Sequence, residues 1–270
     1  MFPSPAFRIG DAWRTKNHAS SFSQIRLFFS DQRQAMTYFL SPGVHACLSG
    51  ECLVFLDLKS DRYCSLRPSD TKQLCPLLHV RRDETDPCRS TSVVPDRETL
   101  ALVHRLRERG LLACVGEQAG RIDADIETPS HDLLSDPAVP GPLASPRDFL
   151  NFFLASRQAK RMLEHCSMEE IVETVRTRKA AQPEARDHLE TARLLVRIFN
   201  KLRPFHKRRY LCLFDSLALL EFLSRYRLYP TWVFGVTMFP FEAHCWIQGN
   251  GYVFNDRLDQ VRHYSPILAV

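Results

Sequence analysis

The chain has no apolar run long enough to span a bilayer. Asp215 interrupts the best candidate, so no membrane-crossing helix is expected. The first residues, with Pro3, Pro5 and Arg8, contain no cleavable apolar core, which excludes a secretory signal. The nine cysteines include no C-x-x-C pair and no zinc-type spacing. An odd number without such pairs also argues against a secreted disulfide framework, so a reducing cytoplasm is the expected compartment. Neither G-x-x-x-x-G-K nor H-E-x-x-H occurs, so no P-loop and no zincin site is indicated. Neither a metal nor a bound cofactor is therefore expected. Net charge is a mild +5, and no strong electrostatic partner follows from it.

What is present is a globular composition, 44% hydrophobic over 270 residues, a length that suggests two domains. The most informative stretch runs from Tyr210 to Tyr264. It opens with R-R-Y-L-C-L-F-D-S-L-A-L-L, in which Cys212 heads an apolar, helix-favouring run. T-W-V-F-G-V-T-M follows, rich in β-branched and aromatic residues as strands are. E-A-H-C-W-I-Q and Y-V-F-N-D read as two more strands around the turn G-N-G. In chain order this gives Cys212, His244 and Asp256, the residue types of thiolate catalysis. A thiol attacks as thiolate, and a helix N-terminus beside an imidazolium lowers its pKa. A carboxylate holds the imidazole in its working tautomer and orientation.

Hairpin geometry makes this set testable, because side chains alternate faces along a strand. A three-residue loop Gly249-Asn250-Gly251 sets Gln248 opposite Tyr252 and His244 opposite Asp256, on one face. A two-residue loop separates the two faces, so the triad is expected to need the longer loop. Each residue also has a plainer reading: Cys212 as a small core residue, His244 as a satisfied core histidine, Asp256 as a turn cap. The ordered set favours catalysis. Cys245, a rival nucleophile, is expected on the opposite face of its strand, in the core.

The segments C-L-x-x-S-L-A-L after basic residues, A-H-C-W and N-D-R-L-D resemble the transglutaminase-like or papain-like peptidase of lasso-peptide biosynthesis, the B protein. The similarity runs from about Pro146 to the end. It implies a cysteine peptidase with Cys212 as nucleophile, His244 as general base and acid, and Asp256 as orienting group. It further implies that the substrate is a ribosomally made precursor peptide whose leader is cut from its core. The core would then pass to a partner, an ATP-dependent asparagine-synthetase-like lasso cyclase; ATP is that partner's requirement and no motif for it occurs here. Two other readings stay open: an acyl transferase of transglutaminase type with the same triad, and a non-catalytic leader-binding scaffold.

Residues 1–35 are polar and mixed, either a disordered arm or a non-native extension ahead of a start at Met36. From Met36 to Gly116 strands are expected at Gly43–Leu48, Cys52–Leu58 and Arg62–Leu66. A short helix should follow at Pro68–Leu78, opened by its proline, and another at Arg97–Arg109, capped by Asp96 and stopped by Gly110. Y-F-L-S-P-G-V-H-A, L-V-F-L-D-L-K-S-D-R-Y and L-R-E-R-G-L-L resemble the winged-helix-like, PqqD-like leader-recognition domain. That resemblance implies a leader-binding cleft between the third strand and the late helix, using Arg62, Tyr63, Cys64, Leu66, Leu100, Val103, His104 and Arg107. Strand addition supplies the physics, with backbone bonds for affinity and side-chain pockets for choice. The charged, proline-containing segment 81–95 departs from the pattern. A DNA-binding winged helix is the alternative, but Glu98 and Glu108 interrupt the helix's arginines and no aromatics interleave them, so no nucleic-acid partner is expected.

Residues 117–146 carry Pro129, Pro137, Pro140, Pro142 and Pro146 among Ser, Asp and Gly and read as a linker. Residues 147–270 then form the peptidase domain. Its leading helices begin at Ser145-Pro146, with Phe149, Phe152 and Phe153 as core, at the capping box Ser167–Glu170, and at Glu184. The basic run Lys201, Arg203, Lys207, Arg208 and Arg209 precedes Cys212; it is a solvated face or a bias toward thiolate. The expected fold class is α+β: an N-terminal winged-helix-like domain plus a C-terminal transglutaminase/papain-like core.

Overall fold

The strands expected at Gly43–Leu48 and Cys52–Leu58 form, and the near-continuous apolar run C-L-V-F-L is buried on both faces. The computed structural model describes residues 38–78, 95–113, 126–135, 143–181, 189–205 and 212–270. The expectations for 1–35, for 81–94, for Lys207–Arg209 and for Pro137, Pro140 and Pro142 lie outside them.

The N-terminal sheet has the order β2-β3-β4, with β2 at Val44–Ser49, β3 at Cys52–Asp57 and β4 at Arg62–Ser65; β1 is Phe39–Leu40. Register runs without slip from Val44↔Asp57 to Ser49↔Cys52, and from Val54↔Ser65 to Asp57↔Arg62. One face, with Val44, Ala46, Leu53, Phe55 and Leu66, packs under helices α1 (Pro68–Leu74) and α2 (Arg97–Glu108). Asp96 caps α2 by accepting a bond from the Thr99 N–H at 2.8 Å, and Gly110 ends it at φ +73°, a conformation glycine adopts without penalty. The strand β5 (Leu112–Ala113) then returns to pair with β1.

The other face of this sheet points the opposite way. Cys47, Val54, Leu56 and Leu58 are buried in the core of the C-terminal half. The Cys47 thiol donates to the Ser265 carbonyl at 3.8 Å and the Ser49 hydroxyl to that of Val236 at 3.4 Å. Residues Ala35–Val270 accordingly form one compact unit. The stretch read as linker is partly sheet as well: β6 (His131–Asp132) runs parallel to a C-terminal strand. Proline composition reports the tendency of isolated backbone, whereas an available strand edge supplies partners for 131 and 132 whatever the flanking residues.

The C-terminal half presents a five-stranded sheet of order β10-β7-β8-β9-β6, where β7 is Thr231–Met238, β8 Phe241–Gly249, β9 Tyr252–Val253 and β10 Ser265–Ala269. Helices α3 (Pro146–His165), α4 (Met168–Ala180), α5 (Leu189–Leu202) and α6 (Cys212–Ser224) pack with one of its faces in a common core, and a short α7 (Leu258–Val261) precedes β10. Ser145 and Ser167 each close a capping box, with Asp148 and Glu170 as reciprocal partners. Of the three phenylalanines expected in the core from α3, only Phe152 is buried; Phe149 and Phe153 are exposed. α6 is the central helix. Phe214 and every residue from Ser216 to Leu223 are buried, so its apolar character runs all round, as a helix enclosed by protein requires. Its two charges are each paired, Asp215 with Arg203 and Glu221 with Arg178 at 2.5 Å. Arg203, from the basic run, is thereby engaged in structure.

Candidate active site

Cys212 is the first residue of α6 and stays half-buried, which sets its sulfur at the positive end of the helix dipole. β8 passes alongside and brings two consecutive residues to that sulfur. His244 acts on it from the strand's rim and Cys245 from the core side, and both favour its thiolate. Beneath, the Ser216 hydroxyl, fully buried one helical turn along, donates to the Cys212 carbonyl at 2.7 Å. It lies 3.2 Å from the Cys245 sulfur and accepts from the Trp232 indole N–H at 3.0 Å. Cys245 is core, as its position on the strand implied, yet its thiol also serves the neighbouring sulfur. The spacing Cys212 to Ser216, one turn apart on one helix, was the legible sign of that support; the role of Cys245 was not.

The third member arrives by a route the sequence did not suggest. The β8–β9 turn has two residues, Asn250 at φ +52° and Gly251 at φ +77°, so Gly249 pairs with Tyr252 and Gln248 with Val253. The expected three-residue loop is therefore incorrect; Asn-Gly with both residues left-handed is the turn that matches strand twist. In that register a continued strand turns Asp256 away from His244. The strand does not continue. β9 ends at Val253, the Phe254 N–H still donates to the Ile247 carbonyl at 2.8 Å, and then the Asn255 side chain takes over by accepting the Ile247 N–H at 2.8 Å. With the backbone ladder replaced by a side chain, the chain bends, and Asp256 Oδ2 reaches His244 Nε2 at 2.5 Å.

The imidazole is held on its other sides too. Tyr264 stands 5.1 Å away and Trp246 6.2 Å away, centroid to centroid. Gly235 lies directly across from His244 on β7, and a Cβ there would fall 2.8 Å from the Trp246 ring and 2.9 Å from Tyr264. This close approach explains the glycine in the middle of a strand.

Electrostatics follows from these contacts. The hydrogen bond from Cys245 is the largest influence on Cys212. Together with the bond and charge of His244 it outweighs the opposing cost of burial and holds the thiol far below the usual thiol range. Cys245, fully enclosed and facing that thiolate, moves the other way and stays protonated. Burial disfavours the imidazolium of His244, but the bond to Asp256 and the bond and charge of Cys212 override it and raise its pKa to about 9. At neutral pH the pair is thiolate and imidazolium, the state in which a cysteine attacks and its partner already carries the proton for a leaving group.

Residues 157–269 match the transglutaminase-like superfamily. They form a transglutaminase-like domain. No curated protein and no solved structure matches the chain. The transglutaminase-like domain contains Cys212, His244 and Asp256, and its superfamily includes cysteine peptidases and acyltransferases. Among the described residues no group of three or more His, Cys, Asp or Glu is placed to hold a metal ion, and no helix is long and apolar enough to cross a membrane.

The residues expected to bind a leader divide three ways. Arg62, Leu100, His104 and Arg107 are exposed along β4 and α2. Leu66 and Val103 are core, and Cys64 is half-buried against them. Tyr63, by alternation, leaves that side altogether and packs on the C-terminal half, its ring 5.8 Å from that of Phe241.

Proposed function

We propose that this protein is a cytoplasmic leader peptidase that binds the leader of a ribosomally synthesised lasso precursor and hydrolyses the leader–core bond. The observation that carries the chemistry is the Cys212–His244–Asp256 arrangement at the head of a buried helix. The choice of substrate rests on the resemblance of residues 36–116 to PqqD-like domains and of the remainder to lasso B proteins. The Cys212 thiolate attacks the scissile carbonyl, and the backbone N–H of Cys212 stabilises the resulting oxyanion. Collapse expels the leaving amine, which takes the His244 proton, and leaves a thioester. His244, now neutral and oriented by Asp256, removes a proton from water; the hydroxide attacks the thioester, and release of the carboxylate restores thiolate and imidazolium. β4 is the last strand of its sheet, a position suited to strand addition by an extended leader, with Arg62 exposed on the strand and Leu100, His104 and Arg107 exposed on α2. The freed core passes to an ATP-dependent, asparagine-synthetase-like cyclase.

Mass analysis of a lasso precursor incubated with the full chain tests this. Two fragments joined by the gain of one water are expected. An amine adduct would instead establish the acyl transferase, and intact peptide that nevertheless binds would establish the scaffold.

A further inference from the structure

Two half-buried side chains on the helix-facing side of the C-terminal sheet lead toward the thiol. Along β8, Phe241, Ala243 and Cys245 share that face by alternation, about 7 Å apart at each step. Cys245 is sealed beneath Cys212, whereas Phe241 and Ala243 remain partly open at the edge of the same core. Tyr63 is the one residue of β4 that packs against this core, edge-on to Phe241. The register Leu56↔Tyr63 holds it there, since Leu56 on the same face is itself buried in the C-terminal core. Burial is the main cause that raises the Tyr63 pKa, and the charges of Asp61 and of the Cys212 thiolate add to it.

We propose that Tyr63, supplied by the N-terminal sheet, is the wall of the acyl-binding groove beside Cys212, with Phe241 and Ala243 as its apolar floor, and that it limits the size of the apolar side chain adjoining the bond to be cut. This deepens the peptidase reading and rests on it for the nature of the substrate. The strand suited to receive a leader and the wall that screens the residue at the thiol are then the same strand. Arg62 and Cys64 face the recognition side and Tyr63, between them, faces the chemistry. A substrate that adds to β4 in the wrong register brings the wrong side chain to Tyr63.

The test uses the full chain and two apolar alkylating probes, N-methylmaleimide and N-benzylmaleimide. Modification of Cys212 is read by mass spectrometry, with exposed Cys166 as internal reference. In the native protein Tyr63 should make Cys212 discriminate strongly against the benzyl probe. Tyr63→Ala should raise the benzyl-to-methyl rate ratio at least tenfold, and Tyr63→Phe, which keeps the ring, should leave the ratio as it was. A ratio unchanged within twofold in Tyr63→Ala overturns the inference. Should Tyr63→Ala lose its thermal transition, Tyr63→Trp serves in its place, where a further drop in benzyl labelling is expected and no drop overturns it. Because the ratio needs no peptide, a precursor left uncut refutes the peptidase reading without touching this result, and an unchanged ratio refutes the wall without touching cleavage.

Discussion

β8 has two edges, and they differ completely. On the β7 side the ladder is unbroken from Thr231↔Gln248 to Met238↔Phe241. On the β9 side only Gln248↔Val253 and Gly249↔Tyr252 pair before the backbone departs. The regular edge sets the position of His244 along the sheet and the packing around its ring. The broken edge leaves the histidine a face for Cys212 and lets Asp256 arrive. A continuous strand offers only side chains of the matching face at fixed intervals, so a residue of the other parity reaches a strand's side chain only where the ladder stops.

If the broken edge carries the chemistry, its residues should be dispensable for folding and indispensable for rate. Cys212→Ala and His244→Ala should each lower precursor cleavage by about 10⁴-fold or more, with the thermal midpoint little changed. Full cleavage by Cys212→Ala would transfer the role to Cys245. Asp256→Asn should cost about 10²- to 10⁴-fold in kcat while Cys212 stays alkylatable, because an orienting group is less essential than the nucleophile.

Asn255 joins the two edges. Asn255→Ala leaves the Ile247 N–H without its acceptor, an expected loss of about 1–3 kcal/mol by thermal or urea unfolding. It also frees the bend that delivers Asp256, so kcat should fall while the β7–β8 ladder persists. The regular edge is probed by Gly235→Ala, whose added Cβ meets Trp246 and Tyr264. Overpacking of this kind costs about 1–3 kcal/mol, and the fluorescence of Trp246 should change with it. A silent Gly235→Ala would show that the aromatic pair does not position His244.

The smallest effects are in pH. Thiolate and imidazolium are the working forms, so kcat/KM is lost as pH falls through the lowered Cys212 pKa and as it rises through about 9, where His244 loses its proton. Between those limits the profile should be flat. A thiol of pKa about 8.5 is less than about 1% thiolate at pH 6. Cys212 should therefore react with iodoacetamide at pH 6 at least tenfold faster than Cys166, and His244→Ala should reduce that advantage. Equal rates at the two cysteines would contradict the ion pair.

Much of this architecture was legible in the amino-acid sequence. Local pattern reports local structure: Asp96, Ser145 and Ser167 announce their helices because a cap is a bond within three residues. Val44–Ser49 and Cys52–Asp57 announce a hairpin by two apolar runs around the turn Ser49-Gly50, and the order Cys212, His244, Asp256 names the candidate reacting groups. What the sequence left open were relations across the chain. It did not disclose that the N-terminal sheet buries its second face against Val236 and Ser265, or that Ile126–Ser135 closes an edge of the C-terminal sheet, because both depend on which surfaces remain uncovered after other elements have packed. The route of Asp256 belongs to the same class. Turn chemistry at Asn250-Gly251 sets one parity, and only the substitution of the Asn255 amide for a backbone acceptor of the Ile247 N–H reverses its consequence. The sequence grouped Tyr63 with the leader-binding residues, and only tertiary packing decided that it turns instead to the core of the C-terminal half.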